Sequence, residues 1–391
     1  MVKPELLQKG IYYSLIVYAL SSAISIAAGN IATSLAFIFA VLMWCFHKDE
    51  VPGHMPRRFW LALGFFLTTF FLSSLFAYDP LVALRRILTN LYRMSPLFFA
   101  AYFIKDRCQV FTLAVLIAIS AVIADTYALW QGVHGNYRAA AFSSHPMILA
   151  GCLIQVIPMC MIMGLHEINL SAKFRAIFYG AMLLSLITLF FNGTRGAWIA
   201  VAFILGLYFF YSLRRLKKAA VVIGLLVIMF SVMFCISPAG QERFMSIFDM
   251  NNQSNHERLL MWTSAWQMFR DHPLTGVGVG NYTEQYQTRY ILPEAKERDQ
   301  RHAHNNLFHV LAETGIIGTI GFLGLFGYIT AHAVQKYTTT LDAWGLVIIL
   351  VTITLFTQGL TEYNYGNSAV MRLYWMITGL AFVSFRHGRM T

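Results

Sequence analysis

The chain has 391 residues, 58% of them hydrophobic and only 12% charged, with a formal net charge of +11. That is too apolar and too charge-poor for a water-soluble protein of this length. No nucleic-acid partner is needed to explain the positive charge, because much of it falls where cytoplasmic loops orient membrane spans.

Apolar runs of about 17–25 residues, long enough to cross a ~30 Å hydrocarbon core, recur along nearly the whole chain. Barrel strands would be shorter and strictly alternating, and a run such as Phe59–Ala77 is neither. The expected fold is therefore an all-α integral membrane protein with about twelve transmembrane helices. The expected spans are Ile11–Gly29, Ile31–Phe46, Phe59–Ala77, Met94–Ile104, Val110–Trp130, Met147–Leu165, Phe174–Phe191, Ala197–Tyr211, Ala219–Ile236, Asn306–Ala333, Ala343–Gly359 and Ala369–Phe385. No cleavable signal peptide is expected, since Ile11–Gly29 lacks a small-residue cleavage site and another span follows at once. The cysteines (Cys45, Cys108, Cys152, Cys160, Cys235) lie in spans or at their edges and form no CxxC, so neither a disulfide framework nor a thiolate zinc site is supported.

Alternate loops carry Lys3 and Lys9, Lys48 with Arg57 and Arg58, Lys105 and Arg107, Lys173 and Arg175, Arg214 to Lys218, Lys336, and Arg386 with Arg389. The positive-inside rule makes these cytoplasmic, with both termini inside. The opposite set then faces outward, which in a bacterium is the periplasm. Twelve of its thirteen basic residues are Arg, against eight of sixteen in the inward set. Either residue supplies charge, but only Arg offers a planar fork for phosphate. The outward face reads as built for anions.

In chain order, Asp79-Pro80 is a helix start. The segment to Arg93 is amphipathic, with Leu81, Leu84, Leu88 and Leu91 on one face and Arg86, Asn90 and Arg93 on another. It reads as an interfacial helix whose Arg face meets lipid head groups or a lipid-linked pyrophosphate. Asp125, late in the fifth span, needs a partner such as an outward arginine. In Asn192-Gly193-Thr194-Arg195-Gly196, a turn of a few residues puts Arg195 at the outer surface, with glycines that let backbone approach a ligand.

The long polar stretch Ser237–Gly318 holds five histidines: His256, His272, His302, His304 and His309. Ser254-Asn255-His256-Glu257 reads as a capping box opening a helix to about Asp271. The expected apolar stripe of that helix is Leu259, Trp262, Trp266 and Phe269, with Arg258 on its shoulder and in need of an anionic partner. Gly276-Val277-Gly278-Val279-Gly280 reads as a tight turn, and Pro293 to Arg301 as a solvated mixed-charge segment. His302, His304 and His309 lack the spacing of a helical metal site, and no carboxylate has zincin spacing. His304, at the outer mouth of the tenth span, is the better candidate for a general base.

These residues resemble the O-antigen ligase family, the membrane glycosyltransferases that join O-antigen to lipid A–core. His304-Asn305, nine further residues, then Gly315-Ile316-Ile317-Gly318 resembles the signature H[NSQ]-x9-GxxG. Thr194-Arg195 resembles the first conserved Arg, although Ile199 stands where Leu is expected, and Arg258 resembles the second. The resemblance implies a GT-C-like, metal-independent and inverting enzyme of the bacterial inner membrane. The large periplasmic loop between spans nine and ten would carry its active site. Transmembrane blocks 1–236 and 306–391 would flank a loop domain at 237–305. The donor would be undecaprenyl-pyrophosphate-linked O-antigen and the acceptor lipid A–core. His304 would deprotonate the acceptor, and Arg195 and Arg258 would hold the pyrophosphate. Arg86, Arg93, Arg138, Asn305 and His302 are expected to bind substrate, with no cofactor and no metal. Two alternatives stay open: an O-antigen polymerase using the same donor, and a polytopic transporter or flippase.

Overall fold

The computed structural model describes residues 3–167, 170–212, 238–249 and 252–387, with short pieces between 220 and 232. The described residues form helices and loops with no strand. The helices are α1 (Pro4–Ser21), α2 (Ile26–Phe46), α3 (Arg57–Leu75), α4 (Pro80–Phe103), α5 (Arg107–Val133), α6 (Pro146–His166), α7 (Ala172–Asn192) and α8 (Arg195–Ser212). They continue with α9 (Pro238–Met245), α10 (Gln253–Asp271), α11 (Tyr282–Gln285), α12 (Asn306–Thr340), α13 (Ala343–Gly359) and α14 (Ser368–His387). Among the described residues, eight helices are long and apolar enough to cross a membrane, and α13 is apolar but shorter. The protein is a multi-pass membrane protein. The expected span Ala219–Ile236 falls largely outside the described residues.

The bundle is built around α6 and α14, which are almost wholly enclosed by their neighbours. Helix α14 packs along α4, α12 along α3, and α6 along α7 and α13. Asp125 does not reach an arginine. It is buried on α5 and accepts a hydrogen bond from Ser185 Oγ at 2.6 Å, a neutral partner suited to a dry environment.

Two expected boundaries move. The first turn lies at Ser22–Ser25 rather than at Gly29, because Ser25 Oγ caps α2 through Ala28 N at 3.2 Å. Helix α4 is one continuous helix, not an interfacial helix followed by a short span. Its orientation is also the reverse of a helix lying on a membrane. Leu81, Leu84 and Leu88 are exposed, whereas Asn90 and Arg93 are buried in the protein. When the solvent is lipid, the apolar face is the outer one and polar groups turn inward.

The short helix α9 and the longer α10 belong to the polar stretch and rest on the end of the bundle. The capping box does not form. Helix α10 begins after Asn252, and no side chain caps it. Glu257 is instead buried and accepts from the backbone N–H groups of Lys296 and Glu297, both at 3.1 Å. The buried face of α10 is Met261, Ser264, Ala265 and Met268, while Leu259 and Trp266 of the expected stripe are exposed. Under this face lies a second apolar core shared with Val277, Tyr282, Tyr286, Ala303 and Ala312.

The expected tenth span is a broken helix. Gly315 leaves helical geometry at φ 57°, ψ −162°, and the chain segment Pro273–Gly280 crosses the break as a strap. Val277 N and Gly278 N donate to the freed carbonyls of Ala312 and Glu313, both at 2.9 Å. Ile316 N and Ile317 N donate to Pro273 O at 2.9 Å and Leu274 O at 3.2 Å. Backbone interrupted inside an apolar bundle must find such partners. The Gly-rich stretch expected to be a tight turn is this strap.

Candidate active site

Four loop regions meet at the end of the bundle that carries α9 and α10. They are the α5–α6 loop, the α7–α8 turn, the segment leading into α12, and the α13–α14 loop. Side chains from all four line either a cavity of about 620 Å³ or a smaller recess joined to it.

The α7–α8 turn is set by Gly193, which ends α7 at φ 66° with its N–H bonded to Leu189 O and Phe190 O. Asn192 then ties the neighbouring loop in place, donating to Ala139 O at 2.9 Å and Pro146 O at 2.8 Å. This brings Arg138 beside Arg195. Gly196 lines the recess and also packs closely against the α13–α14 loop. A Cβ there would stand 2.1 Å from Thr361 Oγ1, so the missing side chain lets α8 press against the α13–α14 loop.

Arg138, Arg195, Arg243 and Arg258 line the recess together. They are not equivalent. Arg195 is buried, with its fork committed to Ser246 O at 2.8 Å, Ser246 Oγ at 3.0 Å and Ser254 Oγ at 3.3 Å. It fastens α9 and α10 to the bundle. Arg243 donates through Nε to Gly193 O at 3.2 Å. The guanidinium groups of Arg138 and Arg258 donate no hydrogen bond to any described residue. Burial, with the charges of Arg243 and Arg258, pushes the Arg138 pKa down. Burial likewise lowers that of Arg258, opposed by Glu362. Crowded guanidinium groups with unspent donors make a place for an anion.

His304 stands at the mouth of α12 in the left-handed region, φ 47°, which a residue with a Cβ adopts only when its surroundings hold it. Its Nδ1 lies 3.1 Å from Glu362 Oε2 and its Nε2 3.2 Å from Gln300 Oε1. The holding groups can be named. Asn305 caps α12, accepting from Leu307 N at 2.9 Å and Phe308 N at 3.1 Å, and donates to Leu360 O at 2.8 Å. Asn306 donates to Asn364 Oδ1 at 2.6 Å and accepts from Tyr365 N at 3.2 Å. The two asparagines thus clamp the α13–α14 loop against α12, and the clamp delivers Glu362 to His304. Below them, His309 Nδ1 accepts from Ala303 N at 3.4 Å while Nε2 lies 3.3 Å from Glu313 Oε1. The His309 ring packs on Tyr363 at 3.6 Å between centroids.

Burial alone would raise the Glu362 carboxyl, but the hydrogen bond and charge of His304, with His302 and Arg258, hold it down at about 2. Glu362 is therefore an anion. Burial, joined by His304, pushes His302 down to about 3. His302 is neutral, and its Nδ1 accepts the N–H of His304 at 3.4 Å.

His302, His304 and Glu362 also bring three ligand atoms within 4.8 Å of one another, a spacing that fits one cation. The surrounding charge argues the other way. Arg138, Arg243 and Arg258 face the same cavity, and a divalent ion beside them would be repelled.

The residues singled out from sequence now have places. His304, His302, Arg258, Arg138 and Arg86 line the cavity, and Arg195 lines the recess. Asn305 is a clamp, with its side chain bonded to Leu307 N, Phe308 N and Leu360 O. Arg93 lies outside the cavity and bonds Ser368 Oγ at 2.9 Å and Asn90 Oδ1 at 3.2 Å. Three contributors had not been singled out: Glu362, Gln300 and Arg243. Glu362 had one faint signal, as the lone acid in an outward loop of an acid-poor chain. The Pro293–Arg301 segment is not simply solvated, since Glu297, Gln300 and Arg301 wall the cavity.

Residues 180–323, from α7 into α12, match the family model described as O-antigen ligase. The match includes Arg195, Arg258 and His304; Arg138 and Glu362 lie outside it. An uncharacterized protein of Haemophilus influenzae is 23% identical over 282 residues, which is 66% of this chain and 70% of that protein.

Proposed function

We propose that this multi-pass membrane protein, an O-antigen ligase family member over residues 180–323, is a glycosyltransferase. It moves O-antigen polysaccharide from undecaprenyl pyrophosphate to an outer-core sugar of lipid A–core. The observation that carries this reading is the joining of two kinds of chemistry in one cavity, a His–carboxylate pair and a recess of guanidinium groups.

The chemistry follows from the groups present. The acceptor hydroxyl gives its proton to His304 Nε2, and Glu362 at Nδ1 fixes the ring and stabilises the imidazolium that forms. The acceptor oxygen forms its bond to C1 of the donor sugar as the bond from C1 to the pyrophosphate oxygen breaks. The electron pair leaves with the pyrophosphate, and Arg138 and Arg258 meet the charge that develops there. Attack opposite the leaving group inverts C1. Pyrophosphate leaves without a general acid, and arginines supply the positive charge that a divalent ion supplies elsewhere. On this reading the cavity faces the periplasm from the inner membrane, the loop domain 237–305 roofs it between blocks 1–236 and 306–391, and the bundle is GT-C-like.

The test is transfer by the purified protein from a lipid-linked donor to lipid A–core, with EDTA present. Product of core plus polymer supports the reading. Activity that dies with chelation and returns with magnesium would overturn the mechanism. Lipopolysaccharide from a deletion strain separates ligase from polymerase: bare core with accumulated lipid-linked polymer for the first, core with a single repeat for the second.

A further inference from the structure

His304 has hydrogen-bond acceptors on both sides. Glu362 Oε2 is 3.1 Å from Nδ1, and Gln300 Oε1 is 3.2 Å from Nε2. The Gln300 amide cannot simply be turned round, because its Nε2 donates to Glu297 Oε2. Glu297 therefore fixes the carbonyl oxygen toward His304. An imidazole facing two acceptors is satisfied only when both nitrogens carry protons. In that form it has no lone pair with which to take a proton from a sugar hydroxyl.

We propose that Gln300 occupies the acceptor's place: its Oε1 stands where the attacking sugar hydroxyl must sit, and the acceptor binds by displacing it. The inference rests on the reading above that His304 is the base. An acceptor hydroxyl donates to Nε2, whereas Gln300 accepts from it, so the two groups need opposite states of the ring. Arrival of the acceptor requires the Nε2 proton to leave to solvent and Gln300 to swing away. After transfer the acceptor's proton is on Nε2 and its oxygen is bonded to C1. Nε2–H is then a donor with no hydroxylate to serve, and Gln300 returns to accept from it as product departs. The resting arrangement is thus that of the state just after transfer. Gln300 is a positioning residue that sets how tightly the acceptor competes for His304.

Several charged and titratable groups surround the ring, with Arg86, Arg243, Glu257, Arg301 and Tyr363 on the same cavity wall. Glu362 comes from the α13–α14 loop, His302 from the ring's own segment, Arg258 from α10, and Arg138 and His145 from the α5–α6 loop. Glu297 stands behind Gln300. None of these but Glu362 makes a direct hydrogen bond to the His304 ring.

The test has two arms. In the first, nitrogen NMR of histidine-labelled protein in lipid, with the His304→Ala spectrum subtracted, counts protons on the resting ring. Two protons on the resting ring of the wild type, and a smaller share of doubly protonated ring in Gln300→Ala under the same conditions, are expected. A bare Nε2 in the wild type overturns the inference. In the second, donor and lipid A–core are assayed across pH. Gln300→Ala should lower the acceptor KM roughly fivefold, the worth of about one net hydrogen bond, and move the acid limb of kcat/KM down. Gln300→Glu keeps the size and adds a carboxylate, so it should raise the acceptor KM and move the limb up. A limb and an acceptor KM unmoved in both variants overturn the inference. The first arm needs no substrate. Absence of any transfer by the wild type would count against the function proposed above, and the proton count on His304 would still decide this inference.

Discussion

Glu362 Oε2 lies 3.1 Å from His304 Nδ1, although 58 residues separate the two in the chain. The pairing is made by Asn305 and Asn306, which follow His304 directly and grip the loop that bears Glu362. His304→Ala should leave expression and thermal stability near wild type while transfer falls roughly 10²–10⁴-fold, the usual worth of a general base. Glu362→Gln, which keeps the shape and removes the charge, should cost less. Rates with purified protein check both, and a fully active His304→Ala would remove the base from the mechanism.

Arg195 and Arg258 should fail differently when each is changed to Lys. Arg195 spends its fork on Ser246 and Ser254, so Arg195→Lys should lower the melting temperature as well as the rate. Arg258 donates to no described residue, so Arg258→Lys should keep the melting temperature and lose rate, because a point charge cannot replace a bidentate fork. Detergent thermal melts run beside the transfer assay separate the two.

Acid should loosen the site in two stages. His302 is held at about 3 against an ordinary 6.5, so the folded state resists its protonation. The stability linked to it is complete above pH 6.5 and is lost progressively toward 3. Glu362 is held at about 2 against an ordinary 4.5, so its contribution is complete above 4.5 and lost toward 2. Melting temperature should therefore decline from below pH 6.5 and steepen below 4.5. His302→Gln should remove the upper stage, and a melt independent of pH between 6.5 and 4.5 in the wild type would contradict it.

Gly315→Ala should be severely damaging. Its φ 57°, ψ −162° is a conformation that residues with a Cβ avoid at a cost of about 1–3 kcal/mol. The added methyl would also stand 2.4 Å from the Leu274 carbonyl. Low yield of monodisperse protein and a reduced melting temperature should accompany lost activity. A control at Gly327, where a Cβ meets nothing within 4 Å, should be silent.

The sequence disclosed the residues that carry rare chemistry in rare places. His304 stood out at the mouth of an apolar span, and Arg195 in a turn too short to take it far from the membrane. What it concealed were contacts made across the chain. Glu362 is one acid in a short loop, and nothing local says that Asn306 will draw it to His304. Gln300 sits in a run of charges that resembles solvated surface, because the hydrogen bond that matters to it is to another segment. The face of α4 turns opposite to the expected one for a physical reason. Amphipathicity tells which side differs from the other, and the solvent decides which of the two is outside. The GxxG spacing was legible as a pattern, but its cause, a strap crossing a broken helix, depends on residues some forty positions upstream.

That crossing has a consequence for how such proteins can be recombined. Pro273–Gly280 and Ala312–Ile317 complete each other's main chain through four hydrogen bonds, so the roof of the cavity is not a detachable cassette. A chimera that takes the roof from one parent and the following helix from another would strand those amides and carbonyls in apolar surroundings. Viable grafts should exchange both pieces as one unit, with the junction placed beyond Gly318.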